Sequence, residues 1–211
     1  MKSEHERLNF RTNTYRVLKQ VHPDRGIASL AKESLNLMLH DLGRRVVCKA
    51  NELVKHSKKR TITGNEIIYG AKLVVPGELF RHAEAEMVKT LTRARNAAGG
   101  TRARPINRSA QVGLVFSVSR TENLIRANTQ YRVGASASVA LSAMLEYISA
   151  EMLELSGNAA YANKKTTIHL SHLNQAIQSD VDLKEMFGHM VQVVPHSHIH
   201  HELLPTRLQK R

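Results

Sequence analysis

The chain has 211 residues, enough for one ordinary domain or two small, intimately packed halves; 42% are hydrophobic, 4% aromatic and none is tryptophan. Leu, Val, Ile, Ala and Met must supply the core, which suits helices better than sheets, and no run of 18 apolar residues offers a membrane span. Thirty-one basic against 18 acidic side chains leave a net charge of +13, which disfavours a basic target and points to a polyanion, most simply nucleic acid.

In chain order, residues 1–9 read as a flexible polar tail without a signal-peptide core. Phe10 to Val21 reads as a short helix, closed by the turn signal His22-Pro23-Asp24-Arg25-Gly26. Ser29 is a plausible N-cap for a long helix to about His56, whose stripe is Leu35, Met38, Leu42, Val46, Ala50 and Leu53. Cys48, the only cysteine, excludes an intrachain disulfide, fits a reducing compartment and is expected to act as a small buried hydrophobe. The polar turn Lys58-Lys59-Arg60-Thr61 follows, and Thr63 with Glu66 then forms a capping box for another short helix. Pro76-Gly77-Glu78-Leu79 opens an amphipathic helix to about Arg95, and residues 97–108, with Gly99-Gly100 and Pro105, read as a basic linker.

The plan then repeats. A stripe of Leu141, Leu145, Ile148, Met152, Leu155 and Ala159 matches the first in length and ends at the turn Asn163-Lys164-Lys165-Thr166. A helix of about 28 residues is roughly 42 Å long, too long to bury its stripe within a unit of about 60 residues, so each long helix needs the other. Antiparallel crossing would place loop one of each half beside loop two of the other, giving two composite basic loops. The charge is uneven: residues 1–100 balance at +9 and residues 109–211 at only +1. None of the prolines, at positions 23, 76, 105, 195 and 205, interrupts a periodic segment, so the chain reads as all-α.

The strings VLKQVHPDRGI, KKRTITGNEI and LVVPGELFRHA resemble the 2B-type core histone, and RVGASASV, LEYISAEMLELSGNAA and NKKTTIHLSHLNQAI resemble the 2A-type. The resemblance spans roughly residues 14–96 and 112–188 and is to two histones fused, as in the histone doublets of large DNA viruses. It implies two histone folds paired as an intramolecular handshake: 10–96 of 2B type with its C-terminal helix, and 109–188 of 2A type. It implies packaging of double-stranded DNA, largely without sequence specificity, in a nucleosome-like particle completed by a 3-type/4-type histone pair or doublet. The location would be the nucleus or viral chromatin. A histone-fold transcription or replication module acting mainly through protein partners is the alternative, and neither reading needs a cofactor or makes the chain an enzyme.

Phosphate contact and arginine insertion into the minor groove are the chemistry of such wrapping. The candidate DNA-binding residues are Arg25 and Ser29 at the first loop one, and Lys58, Lys59, Arg60 and Thr61 at its loop two. In the second half they are Arg120 and Arg126 on the first short helix, Arg132 at loop one, and Lys164, Lys165, Thr166 and Thr167 at loop two. Where the 2B type usually reads Arg-Ser-Thr this chain has Lys59-Arg60-Thr61, so either Lys59 or Arg60 could enter the groove. Thr167, Asn123 and Gln111 stand where the 2A type usually has arginine, which predicts a weaker grip from the second half.

The resemblance also implies an acidic patch for arginine-containing peptides, made by Glu78, Glu86, Glu146, Glu151, Glu154, Asp180 and Asp182, reduced by Val181 where a carboxylate is usual. Residues 189–211 resemble a docking tail, with Val193, Val194, Ile199, Leu203 and Leu204 as apolar contacts. His196, His198, His200 and His201 could chelate a transition metal, but only Glu202 accompanies them, and docking is the preferred reading.

Overall fold

A computed structural model describes residues 9–98 and 107–191. The tail calls on residues 1–8 and 192–211, including the histidine cluster, and most of the linker lie outside the described residues. The elements are α1 (Arg11–Val21), β1 (Gly26–Ile27), α2 (Ser29–His56), β2 (Thr61–Ile62), α3 (Gly64–Lys72), α4 (Gly77–Ala98), α5 (Arg108–Gln111), α6 (Val118–Ala127), β3 (Arg132–Val133), α7 (Ala135–Ala162), β4 (Thr167–Ile168), α8 (Leu170–Ser179) and α9 (Val181–Phe187). A 3-10 turn, Gly188–Met190, ends the described chain.

The long helices α2 and α7 have 28 residues each. In α2, Leu35, Met38, Leu42, Val46 and Ala50 are buried as the stripe requires, joined by Leu39, Val47 and Val54. Leu53 is only half-buried, because a period of 3.6 residues rotates the stripe onto Val54 by the last turns. Cys48 is exposed, contrary to the expectation of a buried thiol. It shares the outward face of α2 with Leu37, Arg44 and Lys55, one helical step past buried Val47.

Helix α7 is buried on almost every side. Ser138, Ala140, Ala143, Ser149, Ser156, Gly157 and Ala160 join Leu141, Leu145, Ile148 and Met152 in the interior, while Leu155 and Ala159 are half-buried. Packing against α1, α3, α4, α6 and α8 explains why so many of its residues are small. Two of its buried hydroxyls turn to carbonyls one turn back, Ser156 Oγ to Met152 at 2.6 Å and Ser138 Oγ to Ala135 at 3.0 Å. One hydrophobic core runs through both halves, from Phe10 to Phe187. Phe10 stacks on Phe116 of the second half at 5.3 Å between centroids, and its amide donates to Asn36 Oδ1.

The helix ends depart from expectation at the start of α2 and the end of α4. Ala28, not Ser29, is the N-cap of α2, because the Ala28 amide is already committed to the Ile168 carbonyl of β4. Ser29 becomes the first helical residue. Thr63 and Glu66 do form the capping box of α3. Helix α4 continues to Ala98, beyond the predicted Arg95, since Arg95, Asn96 and Ala97 carry no breaker and Gly99 does. Helix α9 had no counterpart in the sequence reading. Asp180 caps it, accepting from the Leu183 amide at 2.8 Å, while Arg45 of α2 donates to the Met186 carbonyl at 3.0 Å.

Gly70 sets the approach of α3 to α2: a Cβ there would lie 2.8 Å from the Val46 carbonyl oxygen and 3.1 Å from the Ala50 nitrogen, both backbone atoms that cannot turn aside. Gly70→Ala is therefore expected to destabilise the fold by about 1–3 kcal/mol, read as a lower denaturation midpoint at unchanged slope.

Candidate nucleic-acid interface

Two parallel two-residue pairings bring the basic loops together: Gly26 with Thr167 and Ile27 with Ile168 at one end, Thr61 with Arg132 and Ile62 with Val133 at the other. Their hydrogen bonds correspond one to one. The Gly26 amide donates to Thr166 O and the Ala28 amide to Ile168 O, as the Arg132 amide does to Arg60 O and the Gly134 amide to Ile62 O. Each end therefore joins loop one of one half to loop two of the other, as the crossing of the long helices requires.

Both long helices end in the same way. Lys58 and Lys164 have φ of +54°, the left-handed conformation, and the following amides reach back, Lys59 to Val54 O at 3.1 Å and Lys165 to Ala160 O at 2.9 Å. Glycine would adopt this helix-ending geometry more easily. Lysine here keeps a cation at each turn. Both N-caps, Ala28 and Gly134, lack a capping side-chain bond, so the leading amides of α2 and α7 have no side-chain cap beside the composite loops, while the Ala137 amide turns back to the Gly134 carbonyl at 3.0 Å.

The two ends differ in their side chains. At the β2–β3 end Lys58, Arg60 and Arg132 are exposed, and Thr61 is half-buried in the pairing. Lys59 Nζ instead bonds Glu66 Oε1 at 2.7 Å, leaving Arg60 the freer of the two candidates for the minor groove. At the β1–β4 end Ser29, Lys164, Lys165 and Thr166 are exposed, and Thr167 is half-buried opposite Gly26. Arg25 is turned inward, only 8% exposed, with Nη1 donating to the Lys165 carbonyl. Away from the loops, Arg120 donates to the Asn9 carbonyl. Arg126 bonds Glu122 at 2.7 Å, and Glu122 also takes Arg108 at 2.6 Å. Those two arginine hydrogen bonds hold the Glu122 carboxyl below the usual range.

The sequence reading missed how loop one is anchored. At one end Asn51 of α2 donates to Asn128 O at 2.8 Å and accepts from Thr129 Oγ1 at 2.6 Å. At the other, Gly157 of α7 leaves room for the His22 ring, whose Nε2 lies 3.1 Å from the Glu154 carbonyl. A lone glycine inside a helical pattern was the available signal.

The predicted acidic residues fall on α4, α7 and the start of α9, and several have structural work. Glu146 accepts from the Val115 and Phe116 amides, both at 2.7 Å, and burial raises its carboxyl despite those bonds. Asp182 accepts from the Leu79 amide at 3.1 Å, tying α9 to the start of α4. Glu78 pairs with Arg81 and Glu86 with Lys89. Glu151 and Glu154 remain presented on α7: burial raises the Glu151 carboxyl and the charges of Glu154 and Asp180 add to it, while the Tyr147 hydroxyl bonds it at 3.4 Å. Burial, with Glu151 beside it, pushes Tyr147 up to about 12. Val181 is 79% exposed at this face. Among the described residues no His/Cys/Asp/Glu group could hold a metal ion, and no helix is long and apolar enough to cross a membrane.

Glu66 illustrates how the basic loop is held. Burial alone would raise its carboxyl, but Lys59 and the hydroxyl and amide of Thr63 together bring it from 4.5 down to about 2. The depressed value means that Glu66 contributes stability present above about pH 4.5 and lost as pH falls toward about 2. Glu66→Gln is expected to flatten this part of the stability–pH profile, measured by urea denaturation between pH 2 and pH 6.

Comparisons with known proteins agree with this geometry. The core histone domain, the model shared by the 2A-, 2B-, 3- and 4-type histones, matches residues 1–73 and 89–179. The chain is 35% identical over 182 residues to a histone doublet of Melbournevirus in which a 2B-type histone precedes a 2A-type. The match takes in 86% of this chain and 66% of that relative, so the chain spans slightly less than two thirds of the relative's length. In fold it resembles the crystal structure of the histone from Methanopyrus kandleri, with a TM-score of 0.51 and 14% identity over 80% of this chain and 93% of that one.

Proposed function

The chain belongs to the core histone family, which is non-enzymatic, and on that premise we propose that it packages duplex DNA as a histone doublet, its first half of 2B type and its second of 2A type. The observation that carries this reading is the pairing of each loop one with the other half's loop two, which sets cations of both halves at each end of the molecule. Exposed lysines and arginines above helix N-termini that lack side-chain caps suit phosphates and carry no base-reading pattern. The stronger grip lies at the β2–β3 end, where Lys58, Arg60 and Arg132 are exposed, and the weaker at the β1–β4 end.

A single pseudo-dimer offers two such ends, too few to wrap a full superhelical turn of DNA, so the proposal includes a 3-type/4-type histone pair or doublet as the partner that completes the spool. Tyr69 on α3 and Leu73 at its C-cap lie four residues apart, both exposed, and offer that partner an apolar contact. The place of action is where DNA is packaged, the nucleus or viral chromatin. Reconstitution with such a partner on mixed-sequence duplex, followed by nuclease digestion, is expected to leave a discrete long protected fragment, with affinity falling steeply with salt. A short footprint confined to one sequence motif would overturn packaging and favour a module acting at defined sites.

The acidic face is proposed to receive arginine-containing peptides through Glu151 and Glu154, with Glu146, Asp180 and Asp182 holding its backbone frame. Glu151→Ala with Glu154→Ala is expected to abolish capture of an arginine-rich peptide while the melting temperature stays near that of the unsubstituted chain. Because the Glu151 carboxyl is raised, peptide affinity should already decline on acidification above pH 4.5; a profile falling only at or below that value would contradict the assignment.

A further inference from the structure

Arg25 is the one predicted DNA-binding arginine that the fold buries beside a loop. Its main chain is fixed from within its own half, where Lys19 Nζ donates to the Arg25 carbonyl at 2.6 Å and to Pro23 O at 3.0 Å. Its side chain crosses to the other half. Nη1 donates to Lys165 O at 2.7 Å, and the guanidinium carbon lies 5.4 Å from the centre of the Tyr161 ring. Tyr161 is 73% exposed, on the last turn of α7 immediately before the Asn163–Lys165 turn. That turn carries the left-handed Lys164, and its next residue, Thr166, accepts the Gly26 amide. At the opposite end the residue in the register of Arg25 is Tyr131, which makes no such reach; its amide stays local, on Thr129 Oγ1.

A guanidinium can donate in its plane to a carbonyl while its face lies on an aromatic ring, which an ammonium cannot do. We propose that Arg25, held against Tyr161, is a positioning residue: it fixes the Lys164–Lys165 turn so that both ammonium groups meet successive DNA phosphates, and it contacts no phosphate itself. The proposal rests on the DNA-packaging reading and deepens it. The β1–β4 end then grips DNA as one unit built across the two halves, with the second half's lysines aimed by the first half's arginine.

The test uses the full chain, mixed-sequence duplex and a series of salt concentrations. Each phosphate contact contributes about 0.9 to the slope of log affinity against log salt. Arg25→Lys and Arg25→Ala are both expected to reduce the slope about as much as the pair Lys164→Ala with Lys165→Ala does, roughly two contacts, and to add little when combined with that pair. Tyr161→Phe should keep the unsubstituted slope, and Tyr161→Ala should move toward Arg25→Ala. Hydrogen exchange in residues 163–168 should quicken in both Arg25 variants, a readout that does not need DNA. The proposal is overturned if Arg25→Lys keeps the full slope while Arg25→Ala loses about one contact, the signature of a direct phosphate ligand. It is overturned equally if exchange in 163–168 is unchanged. Absence of salt-dependent duplex binding by the unsubstituted chain would instead defeat the packaging reading, leaving the clasp to stand or fall on exchange alone.

Discussion

Everything in this molecule depends on two helices of 28 residues that cannot bury their own apolar surface. Each flanking short helix covers only part of a rod about 42 Å long. The rods must cross, and their crossing fixes which loops meet. The parallel pairings Gly26–Thr167 and Thr61–Arg132 follow from that geometry and are too short to have driven it. Basic residues far apart in sequence are thereby concentrated at two ends of one core.

The same core produces inequality between the ends. Helix α2 is amphipathic and shows solvent a face with Arg44, Cys48 and Lys55, whereas α7 is enclosed and rich in small residues. The pseudo-symmetric loops thus rest on different supports, Asn51 with Asn128 on one side and His22 over Gly157 on the other. Charge balances of +9 and +1 suggested a strong half and a weak half. The structure divides the surface differently, because each end mixes residues of both halves and the contrast lies between ends.

Much of this was legible in the sequence because it is periodic or local. The stripes of α2 and α7, the Thr63–Glu66 box and the loop pairing all follow from spacing, helix length and the repeat. What was not legible depends on which competing partner wins. Ser29 has the chemistry of a cap, but the Ala28 amide was claimed by Ile168, more than a hundred residues away. Cys48 sits in an apolar run yet faces outward, since adjacent residues on a helix differ by about 100° and a run says little about a face. Arg25 looked like its basic neighbours until Tyr161 and the Lys165 carbonyl gave it an interior site. Glu146 and Asp182 looked like surface carboxylates, and backbone amides from distant segments absorbed them.

The left-handed lysines, Lys58 and Lys164, have one more consequence. Holding a side-chain-bearing residue at that φ costs about 1–2 kcal/mol, and it does so in any solution. The return under the proposed function, attraction to phosphate, is screened by ions and weakens as salt rises. Free in concentrated salt, the protein carries the whole strain at both turns and none of the attraction. The strain is therefore charged to folding, and the proposed contact with phosphate would meet two turns already in place and spend none of its free energy shaping them.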